Sequence, residues 1–205
     1  MKHMIKAVLL SLTLIAFGAS SLSAAAGSKA AMKGIQGTIN KQAGLSNGAK
    51  QYAIKTLLPI TGNQIFIKTT AEQNAKGVSL AQIQKIDEEW KAAEEELPVQ
   101  QEKMNNACAK EMKRVVAANS KIIEAFVMDN QGAVVCENTL TSDYWQGDEA
   151  KWKNSFNGGK GGVDVGSVEF DKSANAKLQQ ISLPIFDKNG KAIGAITFGV
   201  DVGSM

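Results

Sequence analysis

The sequence predicts an α+β fold in which N-terminal helices pack on a five-stranded antiparallel sheet. Three observations carry this expectation. Apolar residues recur at helical spacing from Ala49 to the edge of Ile122, five β-branched or aromatic runs follow between Ile122 and Val202, and two Asp-x-x-Gly turns punctuate those runs. With 205 residues, 44% hydrophobic, and 23 Lys+Arg against 20 Asp+Glu, the chain has the composition of an ordinary globular protein with one sizeable core.

Residues 1–26 have the layout of a secretory signal peptide: Lys2 and Lys6, an apolar run from Ala7 to Phe17, then small residues from Gly18 to Ala26. The run is shorter than the roughly 20 residues needed to span a bilayer, so cleavage near Ala25 or Ala26 and a periplasmic or secreted product are expected. The only histidine, His3, falls in that segment, which excludes Ser-His-Asp and Cys-His catalysis, histidine zinc sites and histidine-ligated haem from the mature chain. No cofactor is expected.

Residues 27–48 show no sustained periodicity and read as a flexible lead-in. From Ser28 to Ala71 there are six lysines and no acidic residue, a pattern read as solvated. The helical region is expected over 49–121. Tyr52, Ile54, Leu57 and Leu58, then Ile65, Phe66 and Ile67, are helical in spacing, with an interruption around Pro59 and Thr61-Gly62. Ser79 and Gln82 form a capping-box pair ahead of a stripe of Leu80, Ile83, Ile86, Trp90 and Ala93. Pro98 ends or kinks that helix, and Met104, Cys108, Met112, Val115 and Val116 continue a similar stripe. The Glu- and Lys-rich faces read as solvated surface.

The sheet is expected over 122–205, with strands at 122–129, 133–139, 163–170, 178–186 and 192–202. Asp129-Asn-Gln-Gly132 and Asp187-Lys-Asn-Gly190 read as hairpin turns, because the spacing and distal Glu of a calcium loop are missing. Cys108 and Cys136 lie 28 residues apart, which fits no metal or thioredoxin-like pattern; a disulfide and two buried thiols both remain open.

Residues from about Leu80 to Val202 resemble the extracytoplasmic PAS-like sensor domains called Cache or PDC domains. Three stretches carry the resemblance: the hairpin Phe126–Val135 with its Asp-x-x-Gly turn, the connection Thr141–Trp152 with its Ser-Asp-Tyr and Trp-Lys portions, and the closing hairpin Ile181–Ile196 with its Pro-Ile, Asp-x-x-Gly and Ile-Gly elements. The resemblance implies helices against one face of a PAS-like sheet and a small-ligand pocket between the other face and its covering loops. Members are commonly parts of receptors with a membrane span and a cytoplasmic signalling domain, whereas this sequence ends at Met205. A free-standing exported sensor, acting through a membrane receptor or kinase partner, is therefore expected.

In the last strand Ala195, Thr197, Gly199 and Asp201 share one face, which reads as the pocket floor, with Gln180 and Ser182 joining from the next strand. The expected ligand-binding residues are Asp143, Tyr144, Trp145, Asp148, Trp152, Thr197 and Asp201. Aromatic faces with carboxylates favour an amino acid or amine. Enzymatic activity is not expected: the sequence gives no defined separation for the carboxylates near Asp143, as glycoside hydrolysis requires, and one domain with a short aromatic connection offers little room for an extended cleft. The alternative is a structural or partner-binding envelope protein that forms a homodimer through its helical stripe. Nucleic-acid binding finds no support, because Arg114 is the only arginine.

Overall fold

A computed structural model describes residues 17–171 and 176–205, with side chains at 27–170 and 176–205. Of the segment expected to be a signal peptide, residues 1–16 lie outside the described residues. No helix among the described residues is long and apolar enough to cross a membrane.

The segment expected as a flexible lead-in is instead structured. Helix α1 spans Phe17–Lys41, and the loop after it leads into α2, Asn47–Tyr52. The reason is burial: Ile35 and Ile39, one helical turn apart, and then Leu45 enter the main core, with Ala31 and Met32 packed beside them. From α2 the chain passes through a π-helical turn, Ala53–Leu57, into α3, Leu58–Thr61. Pro59 therefore sits within the first turn of α3, where its missing N–H costs little, and the helix ends at Gly62, within the expected interruption. There Asn63 caps α4, Gln64–Ala75, accepting the Ile65 N–H at 2.8 Å.

The Ser79–Gln82 capping box is present and opens α5, Leu80–Ala92. Pro98 opens α6, Pro98–Asn105, and α7 follows over Ala107–Ala117. Asn106 separates the two helices: its Oδ1 accepts the Ala109 N–H at 2.9 Å while its Nδ2 donates to the Val135 carbonyl at 2.9 Å. Cys108 on α7 and Cys136 on the second strand are joined in a disulfide, which resolves the open alternative in favour of a bridge.

The sheet comprises β1 (Ile122–Met128), β2 (Val134–Glu137), β3 (Asp164–Asp171), β4 (Ala176–Phe186) and β5 (Ala192–Asp201). Its order is β2-β1-β5-β4-β3, antiparallel throughout. Between β2 and β3 the chain forms α8, Ala150–Phe156. Ile181, Leu183, Ile185, Ile196, Phe198 and Val200 face the helices and join Ile39, Leu57, Phe66 and Met112 in the main core. Phe126, Met128 and Ala195 lie on the opposite, distal face under Trp152 of α8. This is the two-faced arrangement that the Cache/PDC resemblance implies.

Both Asp-x-x-Gly segments are hairpin turns. Asp129 Oδ1 accepts the N–H groups of Gln131 and Ala133, and Asp187 Oδ1 those of Asn189 and Lys191, so both carboxylates are engaged by backbone. Gly132 has φ +87°, and a Cβ there would lie 2.4 Å from Gly147 Cα. The first hairpin thus touches the covering connection backbone to backbone. Gly132→Ala is expected to lower stability by about 2 kcal/mol or more, from the positive φ plus the clash. Urea unfolding checks this; an unchanged midpoint would contradict the contact.

Candidate functional site

Residues 138–162 cross the distal face, and helix α5 holds the first part of them in place. Asp87, 5% exposed, accepts the N–H groups of both Tyr144 and Trp145 at 2.9 Å and pairs with Lys91 at 2.6 Å. Trp90 Nε1 donates to the Thr141 carbonyl at 2.9 Å. Asp87 belongs to the α5 face expected to be solvated. It is buried because it follows Ile83 by four residues and precedes Trp90 by three, a position inside the apolar stripe.

The expected ligand-binding residues divide into two groups. On the sheet, Thr197 is buried and shares a 2.8 Å hydrogen bond with Ser182, and Asp201, opposite Leu178, accepts the Gly203 N–H at 2.9 Å. In the connection, Tyr144 packs on Trp90 with ring centroids 5.6 Å apart, and Trp145 Nε1 donates to the Gln131 carbonyl at 2.8 Å. Trp152 stacks on Phe156 at 5.0 Å and donates to the Asp129 carbonyl at 2.9 Å. Asp143 Oδ1 accepts from Gln146 Nε2 at 2.6 Å, and Asp148 is exposed, its carbonyl accepting from the Lys153 ammonium. The structure therefore uses this connection's aromatic side chains and Asp143 to fasten it down.

A groove of about 400 Å³ opens beside the covered half of the distal face, lined by Glu124, Gly166, Ser167, Glu169, Phe170, Leu178 and Gln180. Its floor follows from sheet register. Glu124 lies opposite Gly199 on β5, and Gly199 lies opposite Gln180 on β4. Because Gly199 has no side chain, Glu124 lies across β5, where an added Cβ would come within 2.4 Å of Glu124 Cγ, and Oε1 of Glu124 accepts from Gln180 Nε2 at 3.1 Å. Asp201 points to the same face, opposite the groove residue Leu178. Phe170, 60% exposed, borders the groove on the edge strand, opposite Lys177.

The described lining residues thus offer two carboxylates and an amide, with a third carboxylate at Asp201. Such a surface attracts a small cation that can donate several hydrogen bonds, the chemistry of an ammonium group. Glu124, Glu169 and Gln180 were absent from the expected ligand set, although Gln180 was expected on the floor. The readable signal was Glu124 itself, an acid within an apolar strand on the same alternate face as Phe126 and Met128.

Burial also shifts two groups in the covered half. It raises the Tyr144 phenol above its ordinary range, with the Asp129 and Glu102 charges adding to the effect. It pushes the Glu137 carboxyl up to about 7, against the opposing pull of the Thr141 hydrogen bonds and the Lys103 charge.

No family model and no curated protein matches the chain. Among solved structures it is similar to the sensor domain of the Vibrio cholerae histidine kinase DctB, at 11% identity and TM-score 0.45, over 85% of this chain and 57% of that one. It is also similar to the ligand-binding domain of the Campylobacter jejuni chemoreceptor Tlp3. In the complex with 4-methylisoleucine the identity is 12% and the TM-score 0.38, over 88% of this chain and 60% of that one. In the complex with L-valine they are 11% and 0.36, over 88% and 63%. The chain spans about three fifths of the length of these structures.

Proposed function

We propose that this protein is an exported sensor domain of Cache/PDC type that binds a small ammonium-bearing ligand, an amine or amino acid, in the distal-face groove. Occupancy is passed to a membrane receptor or kinase partner. One observation carries the ligand class: Glu124 laid across Gly199 to Gln180, with Glu169 and Phe170 on the same groove. The sequence resemblance of both hairpins and the connection to Cache/PDC domains supports the sensory role, and the signal-peptide layout supports export.

Thermal unfolding against amines, amino acids, carboxylates and purines tests this reading. An ammonium compound at 100 times its dissociation constant is expected to stabilise the protein by about 2.7 kcal/mol. Glu124→Gln removes a charge-assisted hydrogen bond and is expected to weaken that ligand about 10- to 100-fold. Stabilisation by carboxylates alone would contradict the assignment.

A second reading, an envelope protein that binds a macromolecular partner, draws on the exposed Val168 and Phe170 of edge strand β3. It predicts no thermal shift with any metabolite and a concentration-dependent oligomer.

A further inference from the structure

Glu137 closes strand β2 opposite Phe126 of β1 and is fully buried. Its Oε2 accepts the Thr141 N–H at 3.0 Å, while its Oε1 has no hydrogen-bond partner among the described residues. At the end of the same connection Gln146, 1% exposed, donates from Nε2 to the carbonyl and carboxylate of Asp143, and its own Oε1 has no partner among the described residues. Two buried acceptors thus stand at either end of one loop without a donor.

The charges around Glu137 do not supply one. Lys103 of α6 acts on it electrostatically, but its Nζ donates to Gln73 Oε1 at 2.8 Å and pairs with Glu102 at 2.8 Å. Asp143 in the connection repels it. From α8, Lys151 lies 5.5 Å over the ring of Phe126 and pairs with Glu149. From α5, Asp87 is taken up by Lys91 and by the amides of Tyr144 and Trp145. A buried carboxylate with one bare oxygen is costly, whereas the neutral acid carries no charge to desolvate and keeps Oε2 as the acceptor of the Thr141 N–H.

We propose that Glu137 is a proton-operated latch: as the neutral acid it holds the connection Asn138–Gln146 closed on the sheet, and on ionisation it releases that connection to water. The direction follows from linkage. In the opened loop the carboxyl has its ordinary value of 4.5, and in the closed loop it is raised to about 7. The closed form therefore binds the proton more tightly. Its stabilisation is complete below about pH 4.5 and is lost as pH rises to about 7, after which it stays constant. The connection leads into α8, which covers the distal face beside the groove, so acidification tightens the roof whatever the groove binds.

The experiment is a carbon-13 titration of the Glu137 carboxyl in the wild-type protein, with hydrogen exchange of the Thr141 and Tyr144 amides over the same pH range. The Glu137 midpoint is expected near 7. After correction for base-catalysed intrinsic exchange, the opening equilibrium at Thr141 should rise roughly 50- to 100-fold between about pH 5 and pH 8, the factor those two carboxyl values imply. In Glu137→Gln, a neutral isostere, that pH dependence should vanish. A Glu137 midpoint below about 5, an opening equilibrium that ignores its titration, or an unchanged pH dependence in Glu137→Gln would each overturn the proposal. If the variant does not fold, the wild-type titration and exchange decide alone.

Discussion

Asp87→Ala is expected to destabilise the protein by about 3 kcal/mol, lowering its melting temperature by roughly 10 °C. The substitution removes the one side chain that accepts both the Tyr144 and Trp145 N–H groups, and it leaves a buried donor at Tyr144 and a half-buried one at Trp145. An unpaired buried amide forfeits its full desolvation cost, and here a half-buried one is left beside it. Lys91 loses its partner too, but it is half exposed and contributes little. Asp87→Asn keeps an acceptor oxygen at the same place and is expected to cost about half as much. Calorimetry of both variants checks the order. Equal losses, or a loss below about 1 kcal/mol in the alanine variant, would mean that α5 does not anchor the connection.

Replacing Cys108 and Cys136 together by alanine is expected to cost about 3–4 kcal/mol. The bridge closes a loop of 28 residues between α7 and β2, so its loss frees the unfolded chain at the point where helices join the sheet. Both cysteines are fully buried, so the folded protein is expected to resist reduction by dithiothreitol until denaturant is added. Alkylation followed by mass measurement, with and without urea, tests this. Rapid labelling of both thiols in the native, reductant-treated protein would contradict the buried bridge.

The legible parts of the fold were those set by local chemistry. Five strands could be read because alternation and β-branched composition persist from Ile122 onward, and both hairpins because an aspartate that accepts its own turn's N–H groups is a local device. The Ser79–Gln82 box was legible for the same reason. The end of α1 was not, because glycines and lysines dilute its apolar spacing and only tertiary burial of Ile35 and Ile39 gives that face a purpose.

On β5, alternation alone assigns Thr197 and Asp201 to the distal face. Glu124 enters the groove by crossing a glycine on a strand 75 positions away in sequence, a juxtaposition that exists only through register. The aromatic residues near carboxylates, read as a ligand wall, also fasten the connection: the indole N–H groups of Trp145 and Trp152 are taken by carbonyls of the β1–β2 turn. Polar side chains that turn inward, such as Asp87 and Lys103, announce burial only when the groups they meet are known, and Tyr144 and Gln73 come from distant segments.

The most direct test of the ligand site is amide-shift mapping of the isotope-labelled protein against a panel of primary amines and amino acids. The account predicts that binding compounds carry an ammonium group and that their shifts centre on Glu124, Gly166, Glu169, Gln180 and Gly199, with the pattern lost in Glu124→Gln. Shifts centred elsewhere, or saturable binding that survives Glu124→Gln unchanged, would contradict it.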